Sequence, residues 1–177
     1  MVLIADSGST KCTWIASDGA RTTNVRTRGI NAVQHSAEQI REALAELPPC
    51  DGVTSVKFYG AGCGETFPEA SEKLRRELEA HFGTTDITVE SDLLGAARAL
   101  WGRGEGIACI LGTGSNSCYY DGVRIVRSAS GVRNTPALLP ISIMARNAPA
   151  ILPSQPKRPK TSRAAAISPA MLSPDTL

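Results

Sequence analysis

Six residues, Asp6-Ser7-Gly8-Ser9-Thr10-Lys11, join the apolar run Val2-Leu3-Ile4-Ala5 to a second one, Cys12-Thr13-Trp14-Ile15-Ala16. So short a link makes the two runs antiparallel neighbours and sets a carboxylate at the end of the first strand. Gly8 permits positive φ and lets backbone amides come close to a bound anion. Ser9 and Thr10 add hydroxyl donors and Lys11 adds charge, while Asp6 can hold a hydrated Mg²⁺ against phosphate oxygens. An ordinary hairpin turn favours the same residues, so both readings stay open on this hexapeptide alone. A matching element later in the chain favours the first.

At 177 residues the chain is long enough for one domain with a real core. Its charge is split. Residues 1–126 carry 12 Lys and Arg against 16 Asp and Glu, and residues 127–177 carry 7 against 1. That second part also holds 8 of the 11 prolines and one of the 16 glycines, so it reads as a basic, Pro/Ala/Ser-rich, unstructured tail. Its run Gln155-Pro156-Lys157-Arg158-Pro159-Lys160 lacks interleaved aromatics, which favours a solvated segment over a nucleic-acid site. Asp6 interrupts the N-terminal apolar run, and no stretch approaches a membrane span. The five cysteines are odd in number and form no C-x-x-C pair, which argues against zinc or a disulfide framework and fits a cytoplasmic protein.

In order, the opening hairpin passes through Ser17-Asp18-Gly19 into a third strand over 21–28. A helix is expected over 36–47, where Ser36 and Gln39 make a capping box and Pro48-Pro49 ends it. A strand over 53–59 leads into Gly60-Ala61-Gly62-Cys63-Gly64, and a second helix starts at Thr66, with Glu69 as its capping partner, and stops at Gly83. A strand over 87–90, a third helix from Ser91 or Asp92 to Trp101, and strands over 106–111 and 116–120 follow. A last hairpin at Asp121-Gly122 enters Val123 to Val126. The order β-β-β-α-β-α-β-α-β-β, with that final hairpin strand, implies an α/β fold with a mixed sheet and helices packed on it.

The second phosphate-type element is Leu111-Gly112-Thr113-Gly114-Ser115, again a strand entering a Gly/hydroxyl turn. Two such turns at the ends of strands in one sheet can face each other across a nucleotide's phosphates. Neither is a Walker loop, and Gly114-Ser115-Asn116 is not a nucleophile elbow. Asp92 lies between them in sequence. It can cap the third helix, or act as general base toward a hydroxyl attacking a γ-phosphate. Asn31 can contact a polar ligand or simply serve its loop, and Gly60-Ala61-Gly62 can line the cleft or merely link strand to helix. His35 and His81 read as surface residues.

Together these residues resemble the sugar kinase, Hsp70 and actin superfamily of ATPases, and within it the N-acetylglucosamine kinase group and the BadF/BadG/BcrA/BcrD-type ATPases. The resemblance covers residues 1 to about 126. It implies a ribonuclease H-like domain, the cofactors Mg²⁺ and ATP, and phosphoryl transfer to an amino sugar. On the matching positions, Ser7, Gly8, Ser9, Thr10 and Lys11 with Gly112, Thr113, Gly114 and Ser115 would bind nucleotide phosphates. Asn31, Asp92, Gly114 and Ser115 would contact the sugar, Asp92 would be the catalytic base, and Asp6 would hold Mg²⁺ through water. Beyond Val126 the family's Gly-rich continuation and second domain give way to the tail, as a reading-frame shift in the gene would produce. The expectation is then a truncated chain with weak or no activity, with a homodimer as one way to complete the cleft. Two rivals share the fold: an activator ATPase with an iron–sulfur cluster between subunits, and a non-catalytic sugar-binding domain.

Overall fold

The computed structural model describes residues 1–111 and 114–132. Gly112, Thr113 and everything beyond Val132 lie outside them. Apolar alternation and two hairpin turns build the antiparallel part of the first sheet. Strands β1 (Val2–Ser7), β2 (Lys11–Ser17) and β3 (Thr22–Arg28) form an antiparallel meander. Asp18 closes its second turn by accepting the N–H groups of Ala20 and Arg21 at 2.9 and 2.7 Å. β4 (Ser55–Gly60) then pairs parallel with β1, and β5 (Ile87–Ser91) parallel with β4, giving the order β3-β2-β1-β4-β5.

Alternation along β1 divides its side chains between two faces. Leu3 and Ala5 meet Trp14, Phe58 and Val56 beneath helices α1 (Ala37–Leu44) and α2 (Pro68–Phe82), which bury Ile40, Leu44, Leu74 and Leu78. Trp14 meets Phe58 edge-on at 5.8 Å between ring centroids, and its indole N–H donates to Thr27 Oγ1 at 3.0 Å. Ile4, Ile15 and Tyr59 gather on the opposite face, where helix α3 (Asp92–Trp101) packs.

The local signals hold unevenly. The Ser36–Gln39 capping box is formed and Gly83 ends α2 in the left-handed conformation. α1 stops at Leu44, earlier than expected. α2 begins at Pro68, a residue suited to the first helical turn, with Phe67 before it and no side-chain cap, so the Thr66–Glu69 box is not made.

The expected single sheet is corrected to two. β6 (Gly106–Leu111), β7 (Gly114–Tyr120) and β8 (Ile125–Val132) form a separate antiparallel sheet. α3 stands between them as a shared element. Its Leu93, Leu94 and Ala97 bury against Ala108, Cys118 and Tyr120 of the small sheet, while its Gly95 lies on Tyr59 of the large one. The final strand also runs past Val126 to Val132, because register with β7 carries Ser128-Ala129-Ser130-Gly131 despite their weak strand preference.

The α3–Tyr59 contact admits no side chain at residue 95. A Cβ there would lie 2.7 Å from Tyr59 Cγ and 2.8 Å from its Cβ. Gly95→Ala should therefore cost about 1–3 kcal/mol through overpacking, measured by urea unfolding. An unchanged midpoint would show that α3 shifts freely on the sheet.

Candidate functional site

The carboxyl ends of β1, β4 and β5 gather the candidate residues at one edge of the large sheet, where open α/β sheets place ligands. β1 delivers Asp6 to the α3 face and Ser7 to the opposite one. The link between β1 and β2 is a turn closed by the Gly8 N–H donating to the Lys11 carbonyl at 3.0 Å. Ser9, Thr10 and Lys11 are exposed on it. Gly8 does not take positive φ, contrary to the reason first given for it, and a Cβ there would meet only the Lys11 carbonyl at 3.8 Å. The fold itself thus does not require a glycine at residue 8. What the residue provides is bare backbone toward the open side of the turn.

The Ser7 side chain is fully buried, the Ile30 N–H donates to Ser7 Oγ at 2.8 Å, and the Ser7 hydroxyl donates to the Ile30 carbonyl at 3.1 Å. This hydroxyl is a lock on the loop before α1. Gly29 fits under the turn in the same place: a Cβ on it would strike the Gly8 carbonyl and lie 2.7 Å from the Lys11 nitrogen. Asn31 follows, with Oδ1 accepting the N–H groups of Val33 and Gln34 at 3.1 and 3.2 Å and Nδ2 donating to Ser9 Oγ at 3.3 Å. The loop role of Asn31 is therefore seen directly. Its oxygen serves the loop, and its amide faces the phosphate-type turn.

The Gly60–Gly64 link knits these pieces together. The Ala61 N–H donates to the Ser7 carbonyl at 2.9 Å, the Ala32 N–H donates to the Ala61 carbonyl at 3.1 Å, and Gly64 lies against Ser91. Cys63, not a candidate from the sequence, is buried beside Asp92, and burial with that negative charge pushes its thiol up to about 12.

Ser91, not Asp92, caps α3, accepting the Leu94 N–H at 3.2 Å. Asp92 is thereby left out of the N-cap position and contributes one oxygen to the first turn. Its Oδ1 accepts the Leu93 N–H at 2.8 Å, and burial raises its carboxyl above the usual range despite that bond. Asp6 is raised too, first by burial and then by the negative charge of Asp92, with Lys11 opposing. Two carboxylates from opposite ends of the first 92 residues thus share one half-buried field.

The second turn is only partly within view: Gly114 opens β7 and Ser115 pairs with Leu111 and Gly131. It belongs to the small sheet, so the two turns do not share a sheet as expected. The neighbouring Asn116 was missed as a site residue. Its Oδ1 is buried without a hydrogen-bond partner among the described residues, an energetically poor arrangement for an acceptor. A Gly-Ser-Asn after a strand is too common a turn to have announced it. Cys109 and Cys118 alternate onto opposite sides of the small sheet, one exposed and one buried, so they cannot serve one cluster together. His35 is half-buried behind Asn31 and His81 meets Phe82 edge-on, so neither joins the carboxylates. No described helix is long and apolar enough to cross a membrane.

No protein-family model and no curated protein matches the chain. Among solved structures it matches the "Putative N-acetylglucosamine Kinase" from Porphyromonas gingivalis at 42% sequence identity and a TM-score of 0.66, over 73% of this chain and 47% of that one. Fainter likenesses are to the ethanolamine utilization protein EutJ from Carboxydothermus hydrogenoformans (14% identity, 73% and 50% of the two chains, TM-score 0.49). Another is to a ROK family glucokinase from Streptomyces griseus, solved with glucose and AMPPNP (20%, 74% and 48%, 0.46). The chain spans about half the length of these proteins. In sequence and fold together it is a relative of the N-acetylglucosamine kinase group, with the ribonuclease H-like half-domain of the sugar kinase, Hsp70 and actin superfamily.

Proposed function

We propose that this chain supplies the acceptor-side half of an ATP-dependent kinase for an amino sugar such as N-acetylglucosamine. The observation that carries the reading is the meeting of Asp6 and Asp92 beside the exposed Gly8–Lys11 turn. Asp92 is the base. Its raised affinity for a proton suits it to take one from a sugar hydroxyl, and Oδ2 is left for that contact once Oδ1 holds Leu93. The backbone and hydroxyls of Gly8, Ser9 and Thr10, with the Lys11 charge, face phosphate oxygens. Asn31 Nδ2 and Asn116 Oδ1, which has no partner among the described residues, offer a donor and an acceptor to sugar hydroxyls.

Two mutually repelling, half-buried carboxylates fit a divalent cation, and Mg²⁺ characteristically takes one or two carboxylates together with water and substrate phosphates. Asp6 would hold it through water, and the ion would neutralise the phosphate charge. Phosphoryl transfer also needs closure around the nucleotide to position groups and exclude water. The residues named here form one wall of such a cleft, so we expect weak or no turnover from this chain acting alone. A homodimer is one arrangement that would supply the opposing wall.

Calorimetric titration with Mg²⁺-ATP, with and without N-acetylglucosamine, tests the reading. Sugar binding that strengthens in the presence of Mg²⁺-ATP supports it. Sugar binding indifferent to the nucleotide points to a non-catalytic sugar-binding domain, and binding of neither ligand sinks both. Should turnover be present, Asp92→Asn ought to reduce it at least about 100-fold while leaving the fold intact. Asn116→Ala should weaken sugar binding roughly tenfold, the scale of one buried hydrogen bond, with Mg²⁺-ATP binding unchanged.

A stability measurement checks the electrostatics separately. Asp6 and Asp92 titrate above the ordinary carboxylate range in the folded chain. The stability they contribute is therefore complete in acid and lost as pH rises through their raised values. Without Mg²⁺, Asp92→Asn should then unfold at higher urea than wild type near about pH 7, with the gap closing toward about pH 3. A variant less stable than wild type at neutral pH would contradict the assignment.

A further inference from the structure

The six residues after Asp92 hold a second polar side chain that the site description does not use. Arg98 lies on α3 below Gly95, and its Nη1 donates to the Tyr59 hydroxyl at 3.1 Å. The guanidinium carbon stands 5.9 Å from the centre of the same ring, within the reach of a cation–π contact. Glu90 of β5 and Tyr120 of β7 surround the same guanidinium, and the Tyr120 hydroxyl itself donates to the Gly102 carbonyl at 3.2 Å. Arg98 is thus a polar tie between the helix and the large sheet, beside Tyr120 of the small one.

Tyr59 is in register with Asp6 across the β1–β4 pair, and it is the residue on which Gly95 rests. The same buried ring therefore locates α3 and stands next to the Asp6 position. Above that contact α3 meets the large-sheet half through its cap, with Ser91 against Gly64, while Leu93 and Leu94 bury on the small sheet. A short helix is stiff along its axis, so a change in its seat on Tyr59 is felt at its first residue.

We propose that Arg98 is a positioning residue. By holding the Tyr59 hydroxyl it fixes where α3 sits on the large sheet, and through α3 it sets Asp92 against Asp6. This deepens the kinase reading of the site and rests on it only for its purpose, since the coupling itself is a property of the unliganded chain. Arginine suits the role because its planar fork bonds the hydroxyl while its face lies near the ring, and lysine reproduces neither geometry.

The test uses the full chain without ligand, by backbone amide NMR. Tyr59→Phe removes the hydroxyl and keeps the ring and every charge, and Arg98→Lys keeps the charge and loses the fork. Each should displace the amide resonances of Ser91, Asp92 and Leu93 and weaken the Gly64–Ser91 nuclear Overhauser contact. The double variant should do no more than either single one. Resonances of α1 should stay in place. If Arg98 merely stabilises the lower end of α3, unfolding moves to lower urea while the Ser91–Leu93 amides remain as in wild type, and the proposal fails. Additive displacements in the double variant would also overturn it, by showing that the two groups act separately. Because no ligand is present, a failure of Mg²⁺-ATP to bind would count against the kinase reading and leave this result standing.

Discussion

The buried hydroxyl of Ser7 holds the site together. It is one short side chain at the end of β1, yet it accepts from and donates to the backbone of Ile30, and that exchange brings the loop before α1 under the β1–β2 turn. Gly29 can then lie against the turn backbone and Asn31 can reach Ser9. Turns of this kind are ordinarily mobile. This one is backed by buried polar bonds, which are expensive to leave unmade and so hold their geometry. Small hydroxylated residues are needed on both sides of Gly8 for different reasons: Ser7 points inward to fix the turn, and Ser9 and Thr10 point outward with Lys11.

Helix α3 supplies the other half of the arrangement. It buries one side on the small sheet and rests its glycine on Tyr59 of the large one, so its N-terminus is held between two separate strand systems. Asp92 at that position is raised by desolvation and close enough to Asp6 for the two charges to oppose each other. Such an arrangement destabilises the isolated chain at neutral pH, which is characteristic of groups kept for binding or proton transfer rather than for folding. Ser91 accepts the Leu94 N–H at the helix end, and Asp92 spends only Oδ1 there, on the Leu93 N–H, so its second oxygen has no part in capping.

The same division explains the buried Asn116 oxygen. Strand β7 is covered on one side by α3, and an amide oxygen there is shut away from water without acquiring a donor among the described residues. A buried acceptor of that sort is tolerated where a ligand group completes it. The hollows on the surface of α2, lined by Glu69, Glu72, Lys73, Arg76 and Glu77 at one place and by Cys50, His81 and Phe82 at another, contain none of these residues. The carboxylates lie instead at the edge formed by the carboxyl ends of β1, β4 and β5.

Local chemistry was enough to read much of this chain from its residues. Hairpins at Asp18-Gly19 and Asp121-Gly122, the Ser36–Gln39 box and the Gly83 stop depend on contacts within a few residues, and so did the candidacy of Asp6, Asp92 and the Gly/hydroxyl turn. What depends on distant partners was not readable. Whether β6 joins β5 or starts a new sheet is decided by where α3 finds apolar cover, and β8 extends through Ser-Ala-Ser-Gly only because β7 pairs with it. Ser7 became a lock because alternation turned it to the face where Ile30 arrives, 23 residues later. The sequence alone determined the residue types and the turns able to do the chemistry. Tertiary structure alone decided which of them meet, because burial and the charge field between Asp6 and Asp92 exist only once β1 and α3 are packed side by side.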